Sequence, residues 1–135
     1  MRRFLDTNVA VYADDLDAGV KQEQARSILS DALASGDGVV STQVLQEFYV
    51  ISTGKLGVEP AKARRKVELL AAMDVVRIDP ALILAAVDLS RLHSFSFWDA
   101  LIVRAAATAG CGLLLTEDLQ HGQVVEGVRI ENPFR

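Results

Sequence analysis

The chain has 135 residues, half of them hydrophobic and about a quarter charged, with a single cysteine, Cys111. That length suits one domain over residues 1–135 with a core of its own, and a lone thiol excludes a disulfide framework or a multi-cysteine zinc site. Fourteen basic against eighteen acidic residues give a net charge of −4, which argues against a protein that grips nucleic acid by bulk charge while leaving room for acids gathered around a metal.

Strand-like and helix-like segments alternate along the whole length. Arg3-Phe4-Leu5 reads as a short apolar strand ending at Asp6, followed by a helix around Val9 to Ala13. A longer helix runs from about Val20 to Ala34, with Ala25, Ile28, Leu29, Ala32 and Leu33 at helical spacing, and Gly36-Asp37-Gly38 breaks it. Val39-Val40-Ser41 is the next strand, and Thr42 is placed to cap a helix from Gln43 to about Lys55. Pro60 suits a first helical turn leading Ala61 to Met73, and Val75 to Ile78 is β-branched and strand-like. Pro80 opens a helix to about Leu92, and Ser96 heads another through Ala109, closed by Gly110 and Gly112. Leu113-Leu114-Leu115 is a buried strand and Val128-Arg129-Ile130 a last short one. Short apolar strands separated by helices predict an α/β fold, a three-layer α/β/α domain with a mainly parallel sheet. No apolar run approaches the ~18 residues of a membrane span, and no apolar signal region follows Arg2-Arg3, so a cytoplasmic protein is expected.

Ligands of open parallel sheets sit at the carboxyl ends of the strands. Asp6 stands directly after the first strand, and Asp118 three residues after Leu115; either could simply cap a following turn or helix. Glu47 sits mid-helix among Val44, Leu45, Phe48, Val50 and Ile51, with no basic residue three or four positions away. Asp99 lies within Phe97-Trp98-Asp99-Ala100-Leu101-Ile102-Val103, and Arg104 is about 140° around the helix from it. The bland alternative for Asp99 is a capping box with Ser96. An unpaired carboxylate is costly to bury, and four converging ones repel each other unless a cation joins them. Hard oxygen donors suit Mg²⁺ or Mn²⁺, and no His/Cys cluster exists for zinc.

The ordered set Leu5-Asp6-Thr7-Asn8-Val9, Glu47, Phe97-Trp98-Asp99-Ala100 and Leu115-Thr116-Glu117-Asp118-Leu119 resembles the four acidic motifs of PIN-domain ribonucleases, in particular the VapC-type toxins of bacterial toxin–antitoxin pairs. The likeness spans essentially the whole chain. It implies a metal-dependent endoribonuclease in which Asp6, Glu47, Asp99 and Asp118 hold Mg²⁺ or Mn²⁺, with Asn8 and Thr116 as polar support. Glu117 and Asp118 are adjacent and either could be the fourth acid, the resemblance favouring Asp118. It also implies an RNA substrate, a homodimer and a cognate antitoxin. The apolar surplus of Phe48, Tyr49, Leu56, Phe95 and Phe97 beyond the needs of a metal site would fit such partners.

Two other readings are a PIN-like RNA-binding or scaffold module without catalysis and a haloacid-dehalogenase-like phosphatase. The latter requires a second acid two residues after the first, and that position is Asn8. Lys62, Arg65 and Lys66 share a helix face that suits RNA phosphate or plain solvation, and Arg64 can pair with Glu68. His121 reads as a loop histidine and Cys111 as a small buried hydrophobe.

Overall fold

In a computed structural model that describes residues 1–135, six short strands form one sheet in the order β3-β2-β1-β4-β6-β5. The strands are β1 (Arg3–Leu5), β2 (Gly38–Ser41), β3 (Asp74–Val76), β4 (Leu113–Leu115), β5 (Val124–Val125) and β6 (Val128–Glu131). The helices are α1 (Thr7–Asp14), α2 (Val20–Ser35), α3 (Thr42–Thr53), α4 (Pro60–Leu70), α5 (Pro80–His93) and α6 (Phe97–Thr108). All pairings are parallel except that of β5 with β6. Successive strand residues point to opposite faces, and consecutive residues of β1, β2 and β4 are buried, so helices cover both faces. The expected α/β/α architecture is therefore present. No helix is long and apolar enough to cross a membrane.

The chain order of this sheet positions the site. From β1 the chain steps outward to β2 and β3, then returns to place β4 on the other side of β1. That reversal opens a crevice at the carboxyl ends of β1 and β4. Leu5 pairs with Leu115 and the Asp6 amide donates to the Leu115 carbonyl at 3.0 Å, so Asp6 and Thr116 leave the sheet side by side.

Phe4, Val39, Val40, Val44, Phe48 and Leu114 are fully buried and anchor the core between sheet and helices. Phe48 thus belongs to the core and not to the surplus available to a partner. Cys111 is buried as expected, and burial pushes its thiol up to about 11. Two details depart from the expected pattern. Ser41, not Thr42, caps α3: its hydroxyl accepts from the Val44 amide, while the Thr42 hydroxyl accepts from the Ile78 amide. β2 ends at Ser41 as expected, but α3 begins one residue earlier, at Thr42, so the last strand residue becomes the cap. The second departure is β5. Glu126 and Gly127 both take positive φ (52° and 77°), joining Val125 to Val128 in a two-residue hairpin of the mirror-image type.

Candidate metal centre

Asp6 begins the site. It caps α1 through Oδ1, which accepts from the Thr7 amide at 2.7 Å, and its Oδ2 accepts from the Thr116 hydroxyl at 2.8 Å. Only 5% of the residue is exposed. Burial drives its carboxyl up to about 6, helped by the charges of Asp118 and Glu47 and opposed by the two hydrogen bonds.

Thr116 is a hub. Its fully buried hydroxyl gives its proton to Asp6 and accepts from the Asn8 side-chain amide at 3.3 Å and the Asp118 backbone amide at 3.0 Å. Asn8 reaches further, donating to Asp118 Oδ2 at 3.1 Å, while its own Oδ1 is buried without a partner. One hydroxyl and one amide therefore set the relation between the end of β1 and the loop after β4.

Glu47 enters from α3. Its Oε1 accepts from the Thr7 hydroxyl at 2.6 Å and its Oε2 from Gln43 Nε2 at 3.4 Å. Asp99 enters from the first turn of α6, where its backbone amide donates to Ser96 Oγ at 3.1 Å. Half of the capping-box reading is thus realised, because Ser96 caps the helix. The other half is not, because the Asp99 carboxylate accepts no bond from the Ser96 backbone amide; it lines the cleft, with the Ser96 hydroxyl beside it. Burial raises its carboxyl, opposed by the Ser96 hydroxyl, with the charges of Asp118 and Glu47 adding to the rise. Ser96→Ala should lower stability by about 1 kcal/mol, read as a fall in melting temperature of about 3 °C.

Glu117 and Asp118 part company here. Glu117 accepts from the Tyr12 hydroxyl and from Lys21 Nζ at 3.1 Å, with the same ammonium 4.9 Å from the centre of the Tyr12 ring. It carries its own counter-charge. Asp118 is exposed and pairs with no cation, and neither do Asp6, Glu47 and Asp99.

All four acids, together with Asn8 and Glu117, line one cleft of about 340 Å³. No three of them are drawn together as a ready-made cage for an ion. The donor set is nevertheless of one kind, carboxylate oxygens with the orphaned Asn8 Oδ1 beside them, and it fits a hard divalent cation such as Mg²⁺ or Mn²⁺. Three contributors escaped the sequence reading: Thr7 and Gln43, which orient Glu47, and Lys21, which neutralises Glu117. Gln43 stands one helical turn before Glu47, a spacing that could have drawn attention to it. His121 is a loop histidine, as expected; its Nδ1 accepts from the Asn132 amide at 3.0 Å.

A family model for the PIN domain matches residues 3–126. The chain belongs to the PIN domain family. No curated protein matches this PIN domain in sequence. Among solved structures it resembles a toxin–antitoxin complex from Klebsiella pneumoniae, with a TM-score of 0.70, 19% identity and 98% of each chain covered. It also resembles VapBC2 from Rickettsia felis bound to a DNA fragment from its promoter (TM-score 0.69, 19% identity, 98% of each chain). A third likeness is to VapC20 of Mycobacterium tuberculosis, a toxin that cleaves the sarcin–ricin loop. It has a TM-score of 0.62 and 18% identity, with 83% of this chain and 86% of that one covered. At these identities the likeness establishes the shared fold.

Proposed function

We propose that this PIN domain is a metal-dependent endoribonuclease, the toxin of a toxin–antitoxin pair acting in the cytoplasm. The observation that carries the reading is Asp6, a buried carboxylate at the sheet's crevice with Glu47, Asp99 and Asp118 around the same cleft and no protein cation paired with any of them. A divalent ion held there would favour ionisation of a water and stabilise the charge that develops on the phosphodiester. Asp6, Glu47, Asp99 and Asp118 are the residues that would hold Mg²⁺ or Mn²⁺. Thr116 and Asn8 hold Asp6 and Asp118 in register, and Thr7 with Gln43 does the same for Glu47. Glu117, occupied by Lys21 and Tyr12, is a support and not the fourth ligand.

The toxin–antitoxin assignment draws on the family and on solved relatives described as toxins or toxin–antitoxin complexes. An antitoxin and a second copy would cover apolar side chains now in water, such as Tyr49, Leu84 and Leu92. The phosphatase alternative lacks its chemistry, since Asn8 offers an amide where a second acid is required and that amide is committed to Thr116 and Asp118.

The test is incubation of the purified chain with total RNA in Mg²⁺, in Mn²⁺ and in EDTA, beside thermal melting under the same conditions. Cleavage is expected with either ion and not in EDTA. Saturating Mn²⁺ should raise the melting temperature by several degrees, because an ion present at a hundred times its Kd adds about 2.7 kcal/mol. RNA binding without cleavage in any ion would establish the scaffold reading instead.

A further inference from the structure

Four side chains at four-residue steps, Gln43, Glu47, Ile51 and Lys55, run along one side of α3 and the turn beyond it, and all four line the cleft. Lys55 is exposed, makes no ion pair, and is the only cation among the cleft's lining residues, six of which are acids. It lies roughly two helical turns from Glu47. Opposite this stripe stands Trp98, the chain's only tryptophan, next to Asp99 and 60% exposed.

Trp98 is braced on one side. Phe97 packs against it edge to face, with ring centres 5.1 Å apart, and its backbone carbonyl accepts from Gln43 Nε2 at 3.4 Å. Between Trp98 and α3 lies a second cavity of about 360 Å³, walled by Ile51, Val50, Gln46, Gln43 and Glu47, which opens beside the acids. Gln43 is 5% exposed and its Oε1 has no partner. An aromatic face and a free ammonium beside a candidate phosphodiester-cutting centre match the needs of an unstacked nucleotide.

We propose that Trp98 and Lys55 hold one single-stranded RNA nucleotide beside the acids, the base lying on the indole and a neighbouring phosphate on the Lys55 ammonium. This rests on the ribonuclease reading and adds two side chains outside the acids, Trp98 and Lys55, that would position the substrate beside them. Duplex RNA keeps its bases stacked and cannot use the indole. The unpaired ammonium favours a polyanion over an apolar protein surface as the occupant of the slot.

Because Trp98 is the only tryptophan, its fluorescence reports stacking directly. Stopped-flow mixing of the intact chain, in Mg²⁺, with an unstructured 12-nucleotide RNA should quench emission at once, and the same strand annealed to its complement should quench far less. Trp98→Ala should raise KM for total-RNA cleavage roughly ten-fold with kcat nearly unchanged, and Trp98→Phe should recover most of that loss. Lys55→Ala should lower the salt slope of RNA binding by about one. Melting temperatures should stay at the parent value, since both side chains are exposed. Cleavage of total RNA without quenching, and with Trp98→Ala fully active, would overturn the inference while leaving the nuclease standing. Quenching without cleavage would defeat the nuclease and leave the nucleotide site standing. Emission that shifts with protein concentration and not with RNA would show Trp98 covered by a second copy, and would also overturn it.

Discussion

Asp6→Asn should reduce RNA cleavage by several orders of magnitude and at the same time raise the melting temperature. The loss follows if Asp6 contributes a charged ligand, because the amide keeps the shape and removes the charge. The gain follows from burial. Asp6 has an ordinary value of 3.8 and reaches about 6 in the folded chain, so between those values the native state binds a proton that the unfolded state has released. Stability therefore falls as pH rises through that window, and above pH 6 the ionised carboxylate costs on the order of 3 kcal/mol. The variant escapes that cost but gives some back, since its side-chain amide hydrogens face the Thr116 hydroxyl, which now donates to Asp6 Oδ2 and would have to turn. A net gain of about 1–2 kcal/mol remains, some 3–6 °C, in EDTA at pH 7.5. At pH 4, where native Asp6 keeps its proton and the ionisation cost is nearly gone, the variant should melt slightly below the parent, by the bond lost at Thr116. Saturating Mn²⁺ should close the gap at pH 7.5 by stabilising the parent alone. A variant that melts lower than the parent at pH 7.5, with unchanged turnover per folded molecule, would make Asp6 a purely structural cap.

Thr116→Val is expected to damage both stability and activity, although it exchanges side chains of nearly equal size. Valine removes the proton held by Asp6 Oδ2 and leaves the Asp118 amide and the Asn8 side-chain amide without their acceptor. Each lost partner of a buried group costs about 1–3 kcal/mol. Asn8 retains Asp118 Oδ2, so a total of about 3 kcal/mol is expected, near 10 °C in melting temperature. The Asp6 carboxyl should climb further, since the hydrogen bond that opposes its burial has gone. Cleavage should fall at least ten-fold at neutral pH and recover partly at higher pH, where Asp6 ionises again. Thr116→Ser keeps the hydroxyl and should restore most of both losses. A Thr116→Val chain with parent stability would show that the three bonds contribute nothing.

Much of the fold lies open in the chain because its elements are local. Short apolar runs such as Phe4-Leu5 and Leu113–Leu115, bounded by acids or glycines, announce strands, and Pro60, Pro80 and Ser96 announce helix starts. The exceptions have local causes too. β5 is two residues long, and its hairpin rests on a glutamate in the left-handed region, where no sequence rule expects one. Of the site, Glu47 and Asp99 stand out because a carboxylate is out of place among their apolar neighbours, and Asp6 and Asp118 because each follows a strand. Their supports do not stand out by their own chemistry; the family resemblance alone points to Asn8 and Thr116. Thr116 is an unremarkable threonine until Leu115 pairs with Leu5 and sets its hydroxyl beside Asp6. The choice between Glu117 and Asp118 turns on Lys21, which is 96 residues away and one helix removed. Contacts of that range follow from sheet order, which alternation alone does not specify.

The pairing of Arg3–Leu5 with Leu113–Leu115 also governs when the site can exist during synthesis. Asp6 is made almost at once, yet Thr116, its buried partner, is 110 residues later. A growing chain on the ribosome therefore carries Asp6, Glu47 and Asp99 as dispersed acids, with no β4 to close the crevice and no hub to hold them. Pairings of such long range form late, after the loop between them has been closed. The cleft of this PIN domain is therefore completed only when nearly the whole chain has been made.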